Sequence, residues 1–115
     1  MNGTLPTELG VLTDLKHMFM YENPELKGAL PTEIGRLSAL ETLYLQDSGL
    51  SGSLPLQSSQ LDMLQELNLA INQFTGTILD QLSLWHEMRL FDFSNNMLSG
   101  TIPNKFRHLQ RLNTL

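Results

Sequence analysis

The side chains able to do acid–base, nucleophilic or metal chemistry are few in this sequence and poorly spaced for it. His17, His86 and His108 are its three histidines. His86-Glu87 begins like a zinc-protease helix, but that motif needs a second histidine one helical turn on, where Leu90 stands. There is no cysteine to serve as nucleophile or thiolate ligand, and no disulfide evidence for either redox compartment. The serines lack a Gly-x-Ser-x-Gly setting; Ser51 sits in Leu-Ser-Gly instead. No glycine loop ends in Gly-Lys-Ser/Thr, so nothing cradles a phosphate. Carboxylates are easy to pair in a chain with 12 acidic residues, yet none marks a cleft. Catalytic residues, metal ligands and cofactors are therefore not expected.

The chemistry the sequence does offer is recognition. Short segments such as Thr42-Leu43-Tyr44-Leu45-Gln46 and Glu66-Leu67-Asn68-Leu69-Ala70 alternate polar and apolar residues, the period of a strand with one face buried. The outward positions of four such segments read His17, Phe19, Tyr21, Glu22; Thr42, Tyr44, Gln46, Asp47; Glu66, Asn68, Ala70, Ile71; and Leu90, Asp92, Ser94, Asn95. Stacked side by side they form one strip. The residues expected to contact a partner on it are Phe19, Tyr21, Tyr44, Gln46, Asn68, Asp92 and Ser94. Exposed aromatics beside polar groups suit a binding hot spot, while cross-strand aromatic pairing alone would merely stabilise the sheet.

The elements that hold this strip repeat on a fixed ruler. Glycines stand at 3, 28, 52, 76 and 100, with separations of 28 − 3 = 25 and then 24 each time. Apolar columns recur at constant distances from them: Leu5, Leu30, Leu54, Ile78, Ile102; Leu9, Ile34, Ser58, Leu82, Phe106; Leu12, Leu37, Leu61, Trp85, Leu109. Ser58 is the one polar member, and chance does not build such columns in a chain that is 41% hydrophobic. Pro6, Pro31, Pro55 and Pro103 follow the glycines at a constant offset, with Leu79 as the exception, and break up any long helix. The return paths place leucines every three residues, which suits 3₁₀ turns. Around Ser58, the stretch Leu56-Gln57-Ser58-Ser59-Gln60 reads as a loosened outer loop. The fold expected is an α/β solenoid: a parallel concave sheet, with short 3₁₀ or helical turns and loops on the convex side.

Asn23, Asn72 and Asn96 follow the last strand leucine and form the expected structural ladder at the corner where the chain leaves the sheet. Ser48 holds that place in the second repeat and should be the weakest rung. The extra residue of the first repeat lies in Asn23-Pro24-Glu25-Leu26-Lys27, where a turn bulge is expected.

Residues 1–115 thus read as one array of units starting near 3, 28, 52, 76 and 100, the last incomplete, without polar capping units. A piece of a longer array is the expectation; a short protein whose ends pair with a partner is the competing one. The net charge of −5 argues against a nucleic-acid groove, and Arg107, His108 and Arg111 read as a solvated face. No run of apolar residues is long enough to span a membrane, and no signal peptide precedes the repeat. The tripeptide Asn2-Gly3-Thr4 is the sole glycosylation sequon.

Leu50-Ser51-Gly52-Ser53-Leu54-Pro55 and Leu98-Ser99-Gly100-Thr101-Ile102-Pro103, within a 24-residue unit, resemble the plant-type leucine-rich repeat. So does the run from Leu64 to Gly76, and the resemblance covers essentially the whole chain. It implies a second short strand at the Ser-Gly-x-Ile/Leu-Pro segment and a protein or peptide ligand on the concave side. It also implies a parent protein at the cell surface, with or without a membrane anchor: a receptor-like protein engaged in signalling or defence. A receptor-like kinase whose catalytic domain lies elsewhere and an intracellular scaffold are the alternatives.

Overall fold

The computed structural model describes residues 3–77 and 84–99. Each repeat contributes two short strands. They are β1 (His17–Phe19) and β2 (Asn23–Gly28), β3 (Thr42–Tyr44) and β4 (Ser48–Gly52), β5 (Glu66–Asn68) and β6 (Gln73–Gly76), then β7 (Leu90–Asp92) and β8 (Met97–Leu98). Odd strands pair in the order β1-β3-β5-β7 and even strands in the order β2-β4-β6-β8, all parallel. Parallel order with no hairpin is what a coil returning once per repeat must produce. The molecule is a solenoid with two parallel sheets, the second running through the Leu-Ser-Gly segments.

The third side of the coil consists of 3₁₀ turns at Thr7–Val11, Thr32–Arg36 and Leu56–Gln60. Each is entered through a proline in extended conformation, Pro6, Pro31 or Pro55, whose ring presets φ at the turn's start. Adjacent turns approach closely: a Cβ on Gly35 would overlap the Gln57 carbonyl oxygen. The ruler glycines 3, 28, 52 and 76 take φ between 76° and 85°, a region open to glycine, so the spacing marks a recurring backbone reversal.

The stretch around Ser58 is not the loosened loop its polarity suggests. It forms the same 3₁₀ turn as its neighbours, and Ser58 is buried. The hydroxyl donates to the Pro55 carbonyl at 2.7 Å, so the polar atom is satisfied within its own turn. Trp85, one repeat on, is buried and donates its indole N–H to the Ser58 carbonyl at 2.9 Å, and the two residues line a small apolar pocket in the core.

Leu26, Ile34, Leu37, Leu40, Leu45, Leu50, Leu64, Leu69, Phe74, Phe91 and Phe93 are fully buried in one continuous core. Leu12, in the same column as Leu37 and Leu61, is half exposed. The extra residue of the first repeat is absorbed as a bulge inside β2: Asn23 pairs with Ser48, and the next pair is Lys27 with Gly49. Leu26 keeps its buried place across that bulge. Gly100, the proline at 103, the basic residues 107, 108 and 111, and the sequon asparagine at 2 lie outside the described residues.

At the corner after the first sheet the chain turns through a left-handed residue in every repeat: Glu22, Asp47, Ile71 and Asn95, with φ from 55° to 60°. Asp and Asn tolerate that conformation, whereas a β-branched side chain is strained in it. Ile71 is 51% exposed, so replacing it loses little packing. Ile71→Asn should therefore stabilise the fold by about 1 kcal/mol, read as a higher urea midpoint with an unchanged slope.

Candidate ligand-binding face

Register across the first sheet sets the strip's columns. His17, Thr42, Glu66 and Leu90 stand side by side, and so do Phe19, Tyr44, Asn68 and Asp92. The same pairing continues beyond the strands, since Glu22, Asp47 and Ile71 donate their N–H groups to the carbonyls of Gln46, Ala70 and Ser94. Tyr21, Gln46, Ala70 and Ser94 therefore form the next column.

The first two repeats carry the aromatic part. Phe19 and Tyr21 are 55% and 42% exposed, unusually open for such large rings. Phe19 meets Tyr44 edge to face, centroids 5.3 Å apart at 76°, and Tyr21 at 6.5 Å and 82°. His17 lies nearly parallel to Phe19 at 6.2 Å. The later repeats carry the polar part. Asn68, Asp92 and Ser94 are half-buried: Asn68 Oδ1 accepts from the Ala70 N–H, and Asp92 Oδ1 accepts from both the N–H and the hydroxyl of Ser94. Gln46, also half-buried, has an Oε1 with no hydrogen-bond partner among the described residues.

Two outward positions are not available. Thr42 and Ala70 are buried, because their short side chains do not clear the larger groups on neighbouring strands. Glu66, by contrast, gains importance. The Tyr44 hydroxyl donates to its Oε1, a diagonal contact between adjacent strands. The signal for that pair was in the spacing: Glu66 precedes Asn68, the register partner of Tyr44, by two residues.

Beneath the strip's edge sit the corner asparagines. Asn72 accepts from the Leu50 N–H at 3.1 Å and donates to the carbonyls of Leu45, Leu69 and Ala70 at 3.0–3.2 Å. Asn96 repeats the pattern one turn on, with Phe74, Leu69, Phe93 and Ser94. Asn23 makes a single local bond to Tyr21, and Ser48 a long one of 3.5 Å to Gln46. Asn72 and Asn96, which bridge neighbouring repeats, lock the backbone on which the strip is displayed.

Among the described residues no His, Cys, Asp or Glu cluster could hold a metal ion, and no helix is long and apolar enough to cross a membrane. The Leucine Rich Repeat family profile matches residues 63–85 and 87–109. The chain has the leucine-rich-repeat fold, and its repeats are similar to those of plant receptor ectodomains. By structure, 97% of it superposes on 18% of the plant peptide hormone receptor RGFR1 in complex with RGF2, at a TM-score of 0.86 and 30% identity. The leucine-rich-repeat ectodomain of the receptor kinase SOBIR1 from Arabidopsis thaliana matches 96% of the chain over 61% of its own, at 0.87 and 31%. A plant ice-binding protein matches 91% of the chain over 34% of its own, at 0.83 and 35%. This leucine-rich-repeat chain thus spans between 18% and 61% of these neighbours. No curated protein matches it by sequence.

Proposed function

We propose that these repeats form a non-catalytic recognition module that takes an extended protein or peptide segment along the concave sheet. We place it in a receptor-like protein at the cell surface. The observation that carries the reading is the aromatic group of exposed Phe19 and Tyr21 and half-buried Tyr44 on adjacent repeats, bordered by hydrogen-bonding groups. Large rings left open to water on a rigid sheet cost little entropy on binding and supply most of the contact energy of an interface. The neighbouring receptor ectodomains support the same reading. An ice-binding neighbour of the same fold means that the fold alone does not choose a ligand. Here the aromatic and carboxylate composition of the strip favours a peptide. The binding role is the same whether the parent is a receptor-like kinase, a receptor-like protein or a scaffold.

The test is selection of a displayed random-peptide library on this chain, followed by Tyr44→Ala. Selected peptides should bind Tyr44→Ala about tenfold more weakly, the usual scale of a hot-spot truncation, with no change in the far-UV spectrum. Undiminished binding would remove the strip from the interface. Loss of the fold would assign the ring a structural role.

A further inference from the structure

The strip is chemically one-sided. It carries the carboxylates Glu22, Asp47, Glu66 and Asp92 and no lysine or arginine, in a chain of net charge −5. The aromatic group and one of these carboxylates meet at a single place. Phe19 and Tyr44 stand nearly perpendicular, 5.3 Å apart, and the Tyr44 hydroxyl holds the Glu66 carboxylate on the adjacent strand. A carboxylate has about four lone-pair sites, so accepting from Tyr44 leaves it able to take further donors.

Resting on the reading that this face binds peptide, we propose that Phe19, Tyr44 and Glu66 form a seat for an arginine side chain of the bound segment. A guanidinium is planar, stacks on aromatic rings and reaches a carboxylate through paired N–H groups. An apolar side chain would use the rings and waste the anion. An acidic one would meet repulsion from Glu66 and, farther along the strip, from Asp47 and Asp92. Phe19 is 55% exposed and Tyr44 and Glu66 are half-buried, so the ring of Phe19 is the open side of the seat.

The probe is acetyl-arginine amide, titrated into the isotope-labelled full chain and followed by amide chemical shifts. Its uncharged isostere acetyl-citrulline amide is the control. Arginine amide should shift the signals of Phe19, Tyr44 and Glu66, and citrulline amide should bind about tenfold more weakly, the combined scale of an exposed cation–π contact and an exposed ion pair. Glu66→Gln should bring arginine amide down to the citrulline level, and Tyr44→Phe should weaken it while leaving the rings in place. Equal responses to the two probes, no response to either, or an unaffected Glu66→Gln would overturn the seat. Library-selected peptides that depend on Tyr44 yet carry no basic residue would also overturn it and leave the peptide reading standing. Arginine-amide shifts at these residues without any selectable peptide would sustain the seat and count against the broader reading.

Discussion

Asn72→Ala is expected to lower the stability of the chain by about 3–5 kcal/mol, the sum of several net hydrogen bonds and one stranded donor. The Asn72 side chain is buried and joins three backbone carbonyls to the Leu50 N–H, tying the second and third repeats together. Alanine leaves that N–H without its acceptor in an apolar corner, where an unpaired donor is costly. Small domains are held by only about 5–15 kcal/mol, so a loss of this size consumes much of the margin. Asn23→Ala is the internal control. Its side chain makes one bond of 3.3 Å to Tyr21, at an exposed site, and its removal should cost under about 0.5 kcal/mol. Urea unfolding of both variants checks the contrast. Equal effects would mean that the ladder does not couple the repeats.

Trp85→Ala is expected to cost a similar amount, about 3–5 kcal/mol, by the usual scale for truncating a buried tryptophan. Trp85 stands in the column of Leu37 and Leu61 but reaches back over Ser58, where its indole N–H bonds the carbonyl. Truncation opens a cavity and removes one of the two donors to that carbonyl, the other being the Leu61 N–H. The more telling experiment restores the regular columns. Ser58→Leu alone should overpack against the indole at about 1–3 kcal/mol. Trp85→Leu alone leaves a void beside Ser58. Together the two exchanges put leucine in both columns, so the double variant should lose clearly less than the sum of the single losses. Contacting residues show such coupling, of about 0.5–3 kcal/mol. Strict additivity would mean that the two positions do not compensate.

That pair also marks the limit of reading the sequence column by column. The glycine spacing and the apolar periods make the solenoid, both of its faces and the 3₁₀ turns legible, because each column has one physical job. Ser58 reads as a defect because its partner, Trp85, lies in a different column of the next repeat. Thr42 and Ala70 read as surface because alternation assigns a direction but not a reach. The tie between Tyr44 and Glu66 is diagonal, and a list of outward residues taken strand by strand does not reveal it. Ile71 is similar: nothing in its own segment announces a left-handed backbone, but its column-mates Asp47 and Asn95 are the residue types that favour one.

We propose that the concave strip, rather than the second sheet or the 3₁₀ side, meets the ligand. The most direct test is photo-crosslinking to a library-selected peptide, with a benzophenone amino acid in place of Asn68 on the strip or of Thr75 in β6 on the other sheet. Thr75 is exposed and separate from the strip's columns. The expected result is a covalent adduct from position 68, suppressed by Tyr44→Ala, and none from position 75. An adduct from position 75 in preference to position 68 would contradict it.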